Sequence, residues 1–146
     1  MTIPYLHPGA QFSYQGNPYT VAGTVWLNED GDTWTEHKAT GGPQPIWFTI
    51  EDDEVTRWTQ RPDLASTLTP GARTVTADDG TFRLEESGTA DYTAQGDTDT
   101  NPAGTVEYHD YSAPDGARLS FERFDGRGWE VATGRPVRPE EFGSLR

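Results

Sequence analysis

From Phe12 to Leu27 the apolar side chains recur at every second position: Phe12 and Tyr14, then Tyr19, Val21, Gly23, Val25 and Leu27 beyond the break QGNP. Spacing of two places side chains on one face of an extended chain, so the stretch predicts a hairpin with a long, one-sided second strand. NEDGD (28–32) carries an Asp-Gly step, which tolerates the positive φ of a tight hairpin loop. TWTEHKA then predicts a strand, TGGPQP a loop, and IWFTIE a strand with Ile46, Phe48 and Ile50 on its core face. On this reading Trp26 and Trp47 point away from that core, onto a face that is either covered by the rest of the chain or open to a partner. EDDE (51–54) reverses the chain, and VTRWTQ closes a meander of about five strands.

Residues 61–72 lack periodicity and hold two prolines, which predicts a connection with a short helical turn after Pro62. A second strand set follows: RTVTADD, TFRLEES, ADYTAQG, a small polar loop over 97–104 expected to be mobile, VEYHDYSA, ARLSFERF and GWEVATG. Asp-Gly steps at 115–116 and 125–126 separate the last three. The tail PVRPEEFGSLR offers one helical turn opening on Pro139. The halves echo each other: Tyr19 and Gly23 match Tyr92 and Gly96, Gly-Thr-Val recurs at 23–25 and 104–106, and strands with an internal glutamate (Glu36, Glu122) each precede a tryptophan-led strand (Trp47, Trp129). The expectation is one all-β domain over 1–146. It consists of antiparallel meander sheets in two duplicated β-units, about 11–60 and 73–137, packed as a sandwich or as paired half-barrels.

Composition narrows the function. A net charge of −13 opposes nucleic acid and anionic membrane surfaces, where basic patches do the binding. The chain has no cysteine, which excludes disulfides, thiolate metal sites and cysteine nucleophiles. No run of about 18 apolar residues is present to span a membrane, and the first residues have no basic start or apolar stretch of a signal peptide, so a cytoplasmic location is expected.

No phosphate-cradling loop, dinucleotide fingerprint or serine-nucleophile motif occurs, and no cofactor is expected. The acidic turns lack the spacing of a calcium loop. A metal held by His37, His109 and Asp110 would need both halves to converge on one point, and no metal site is assigned. Candidate binding residues are Trp26, Trp34, Glu36, Trp47 and Glu122. Trp34 and Glu36 share a strand face, so if that face is interior Glu36 needs a partner, either an arginine or the strand ends at the TGGPQP loop. As a structural clamp it would cost about 1–3 kcal/mol to replace by glutamine. Paired across the halves, Glu36 and Glu122 could alternatively stand as a glycosidase-like acid and nucleophile.

Trp34-Thr35-Glu36-His37, followed by Ile46-Trp47-Phe48 and preceded by the strand from Asn17 to Gly23, resembles the bacterial domain of unknown function 4178 family, as do Tyr108-His109-Asp110-Tyr111, Phe121-Glu122 and Trp129-Glu130-Val131. His37 departs from that pattern, where an aromatic such as tyrosine is expected. The resemblance covers about 12–142 and implies a bacterial accessory protein with no assigned activity, working beside small membrane proteins and phage-shock-like proteins. The function expected is therefore a non-catalytic binding or interaction module with a protein partner, possible partners including a membrane protein. A small-ligand binder or enzyme using Glu36, for a sugar or a polyamine, is the alternative, since acids and tryptophans suit a cationic ligand.

Overall fold

The computed structural model describes residues 3–143. Its strands are β1 (Gln11–Tyr14), β2 (Asn17–Glu29), β3 (Asp32–Thr40), β4 (Ile46–Glu51), β5 (Glu54–Gln60), β6 (Thr74–Ala77), β7 (Gly80–Gly96), β8 (Ala103–Ser112), β9 (Arg118–Phe124), β10 (Glu130–Val137) and β11 (Phe142–Gly143). A helical turn, α1 (Pro62–Ala65), opens the connection between β5 and β6, and a 3-10 turn over Pro139–Glu141 precedes β11. The fold is all-β and antiparallel, as the alternation predicts.

All eleven strands belong to one sheet, ordered β11-β1-β2-β3-β4-β5-β10-β9-β8-β7-β6, and β2 also pairs with β7. That extra pairing makes a closed circuit of eight strands, β2-β3-β4-β5-β10-β9-β8-β7. The two five-strand runs therefore meet edge to edge, along β2–β7 and β5–β10, in the manner of paired half-barrels and not of a face-to-face sandwich. The order of strands corrects one correspondence: Glu36 lies on the third strand of its run and Glu122 on the fourth of the other.

The turns follow local chemistry. Gln15-Gly16 and Asp30-Gly31 hold φ of 51° and 81°, and 52° and 95°, the doubly positive pattern of the tightest hairpins. TFRLEES and ADYTAQG, read as two strands, form the single 17-residue β7, with a bulge between Leu84 and Glu86. Thr89 is locked there by the Glu29 carboxylate, which accepts from its backbone N–H at 3.2 Å, so the chain runs straight through Gly88.

A second bulge decides which residues face inward. Between Val21 and Gly23 the β2–β3 register shifts, so Val21 pairs with Ala39 but Val25 with Glu36. The extra residue sends Val21 to the outside of the ring and Val25 and Leu27 to the inside. Val21 joins Leu6, Phe12, Tyr14, Ala39, Phe48, Val55 and Phe142 in a core on the outer face of β3–β5, covered by β1, β11 and the lead-in. Val75, Ala77, Phe82, Tyr111, Leu119, Phe121 and Val131 form the matching core outside β8–β10, flanked by Leu64 and Leu68 of the connection. Inside the ring, Val25, Leu27, Ala90, Tyr92, Val106 and Phe124 fill the seam around β2 and β7, with Trp34 and Trp47 against them.

This arrangement overturns the expectation that Trp26 and Trp47 share one face of the sheet. Ile46, Phe48 and Ile50 do face an apolar core, but it lies outside the ring, so Trp47 points into the interior. Trp26 pairs with Thr35 and Thr93, is turned outward and is 39% exposed. The two tryptophans sit on opposite sides of the sheet. The polar 97–104 loop is also tied down: Thr98 is buried, Lys38 Nζ donates to Asp97 and Asp99, and the segment from Ala103 is already β8.

Candidate functional site

The register of the ring lines up polar rungs on its inner face. On β3–β5, Glu36 stands level with Thr49 and Thr56, and Lys38 level with Trp47 and Trp58. On β8–β10, Tyr108, Glu122 and Glu130 form one rung and Asp110, Ser120 and Ala132 the next. Because the apolar partners of these strands are spent on the two outer cores, the interior is left to carboxyls and indoles.

They enclose a cavity of about 850 Å³. Among the described residues, nine acidic side chains line it (Glu36, Glu51, Glu54, Glu85, Glu86, Asp99, Asp110, Glu122 and Glu130), against a single basic one, Arg118. Trp34, Trp47, Trp58 and Trp129 supply its aromatic surface. Glu51, Glu54, Glu85, Glu86 and Asp99 are exposed, so the cavity communicates with solvent. Carboxyl oxygens dominate the polar groups of its lining.

At its centre Glu36, only 7% exposed, meets Glu122, and the two carboxyls share a hydrogen bond. Trp34, on the same strand face, partly offsets the effect of burial on Glu36. Neither an arginine nor a loop end partners Glu36, as the sequence reading expected; a second carboxyl does. Burial first, and then the Glu36 charge, holds Glu122 well above the usual carboxylate range; burial likewise raises Glu36. Such a pair keeps a proton between its members. Hydrogen-bonded carboxyls leave no room for a sugar carbon, whereas a glycosidase pair stands at least about 5 Å apart.

The neighbours repeat the pattern. Asp110 accepts from Ser120 Oγ at 2.7 Å, and burial, reinforced by Glu36, Glu86 and Glu51, pushes its carboxyl up to about 7. Burial within the cavity, then Glu36, raises Glu130; burial, then Glu86, raises Glu51. The Tyr108 hydroxyl sits between Glu29 and Glu86, its phenol held far above its ordinary range by burial and by both carboxylates. Trp58 Nε1 donates to Thr49 Oγ1 at 2.9 Å, which fixes the indole beside Trp47. Burial thus raises the carboxyls of Glu36, Glu51, Asp110, Glu122 and Glu130 together above their ordinary range.

Of the residues singled out from sequence, Trp34, Glu36, Trp47 and Glu122 converge on this cavity, and Trp26 lies outside it. Trp58, Glu130 and the acids at Glu51, Glu54, Glu85 and Glu86 escaped that reading, and Asp110, weighed there only as a metal ligand, joins the cavity as a carboxyl. Their signal was present as strands such as EVTRWTQ and VEYHDYS, where alternate positions are polar or aromatic and the intervening ones apolar. The histidines stand elsewhere. His37 pairs with Thr24 on the outer face, bridging Thr24 Oγ1 (2.9 Å) and Thr35 Oγ1 (2.8 Å), and burial lowers it to about 4, so it is a neutral structural link. His109 bonds Ser87 on the outer face while Asp110 points inward, so these two cannot share a metal with His37.

The chain matches a family described as "Domain of unknown function (DUF4178)" over residues 7–139. It is similar to proteins of Mycobacterium tuberculosis and Mycobacterium bovis described as uncharacterised, each 40% identical over 142 residues, covering 90% of this chain and 68% of theirs. No solved structure matches it.

Proposed function

The chain belongs to this family of domains of unknown function, and on that premise we propose that it is a non-catalytic binding protein that takes an organic cation inside its ring. The observation that carries the reading is the cavity: nine carboxyls and the indoles of Trp34, Trp47 and Trp58 line about 850 Å³ with one arginine among them, while Trp129 lies at its edge against His109 and Arg123. Carboxyls supply charge, and indole faces attract cations through the ring quadrupole, each such contact worth about 0.5–2 kcal/mol. The volume falls within the range typical of small-molecule sites, roughly 300–1,000 Å³. A neutral sugar would leave the carboxyls without counter-charge.

Intrinsic tryptophan fluorescence tests this directly, because Trp34, Trp47 and Trp58 line the site. Titration with organic amines at constant ionic strength is expected to give a saturable change that equal sodium chloride does not. A saturable response to neutral sugars alone would overturn it.

The protein-partner reading, including a membrane-protein partner, has one structural foothold, the exposed Trp26 on the outer face. Replacement of Trp26 by alanine separates the two readings: it should leave amine binding intact, and only a partner complex would weaken.

A further inference from the structure

Resting on that cation-binding reading, we infer that the ligand is a linear alkylamine with at least two N–H-bearing ammonium groups, a diamine or polyamine, bound along the inner wall formed by β3, β4 and β5. Three observations lead there.

The first is an alkylammonium that the protein already holds on this wall. Lys38, the chain's only lysine, shares its rung with Trp47 and Trp58; its stem is buried, and its Nζ donates to Asp97 at 3.2 Å and Asp99 at 3.0 Å. A primary ammonium with its alkyl stem beside an indole and two carboxylates at its head is the arrangement an amine ligand would repeat.

The second is the spacing of the carboxyls. Glu36 stands on one rung of β3–β5 and the Glu51–Glu54 pair on the next, two residues along the strand. Two residues of strand advance about 7 Å and the neighbouring strand lies about 5 Å across, so Glu36 and Glu51 stand about 8 Å apart by backbone position, a span for a short alkyl chain between two ammonium groups. Glu122 and Asp110 stand on successive rungs of the opposite wall and repeat that interval. A single compact charge would satisfy one tier and leave the other bare.

The third is the chemistry of the lining, which is rich in oxygen acceptors although Thr49 already accepts from Trp58 and Ser120 already donates to Asp110. The cavity also presents the hydroxyls of Thr49, Thr56 and Ser120. Carboxyl and hydroxyl oxygens in such number call for donors, and a quaternary ammonium has none, whereas each primary ammonium brings three. Leaving buried acceptors unpaired weakens binding, which discriminates against ligands without N–H groups.

Isothermal titration calorimetry at constant ionic strength with putrescine, spermidine and tetramethylammonium tests the inference on the unaltered protein. Spermidine and putrescine are expected to bind at least about tenfold more tightly than tetramethylammonium. Glu36→Gln and the double replacement E51Q/E54Q, each checked for native circular dichroism, should each weaken the diamines about tenfold or more and leave tetramethylammonium little changed. Tetramethylammonium binding as tightly as the diamines would overturn this inference and leave the cation reading standing. Binding of no cation at all would overturn both. Diamine binding unaffected by either variant would remove the two-tier placement.

Discussion

Asp110 keeps its proton in the folded protein to about pH 7, whereas an aspartate in an unfolded chain gives it up near 4. Between those values the folded state binds more protons than the unfolded one, so stability falls as pH rises through that window. Asp110→Asn removes the titration. It should match the wild type near pH 4 and exceed it by about 1–2 kcal/mol at pH 8, the full shift being discounted because the carboxyl borders cavity water. Urea unfolding at the two pH values checks this, and equal stability at pH 8 would contradict it. Glu36 behaves in the same sense. A clamp held by arginine would lose stability on Glu36→Gln; beside Glu122, the amide can donate to the remaining carboxylate and relieve a like-charge contact. Its melting temperature at pH 8 should equal or exceed that of the wild type in scanning calorimetry. Spacing alone showed that Trp34 and Glu36 share a face. Glu122 lies in the other run of strands, and no local pattern could reveal that it is the partner.

Elements carry the next set of consequences. The seam that closes the ring brings Gly23 against Gly96, with Asp97 folded over it. A Cβ on Gly23 would lie 2.4 Å from the Asp97 carbonyl oxygen, and backbone cannot swing aside as a side chain can. Gly23→Ala is expected to cost about 2–4 kcal/mol in chemical unfolding, more than an alanine at an ordinary strand position. Lys38 ties the 97–102 segment to β3 through two exposed aspartates, so the tie is partly screened. Lys38→Met should cost only about 1 kcal/mol overall, yet amide exchange should accelerate selectively around Thr98. Turn chemistry and alternation made most strands legible, including the α1 turn after Pro62 and the short helical turn at Pro139. The bulge at Ala22 was not, because one extra residue leaves no mark on an apolar pattern that continues on both sides. β3–β5 and β8–β10 present an apolar or aromatic residue to each face at several positions, so spacing could show that Trp47 points away from Ile46, Phe48 and Ile50 but not that this core lies outside the ring and that Trp26 faces the other way.

At the scale of the whole molecule, the class of fold followed from composition and turns, while the circuit of eight strands depends on pairings such as β2–β7 that join distant parts of the chain. The protonated interior makes a global prediction. With several carboxyls raised, the melting temperature should decline from pH 5 to pH 8, and a bound amine should offset that decline because it favours the ionised carboxyls. At a hundredfold excess over its dissociation constant, spermidine should add about 2.7 kcal/mol, with protons released on binding. Calorimetry in two buffers of different ionisation enthalpy measures that release, and zero release at pH 6 would contradict it. Two of the three apolar clusters that stabilise the ring lie on its outside, under β1 and β11 on one side and β6 on the other. The carboxyls that would meet a ligand belong to none of the apolar clusters. Heritable variation can therefore rewrite the lining, exchanging one guest for another, while the shell persists: relatives with this architecture are free to diverge in what they carry without first finding a new way to fold.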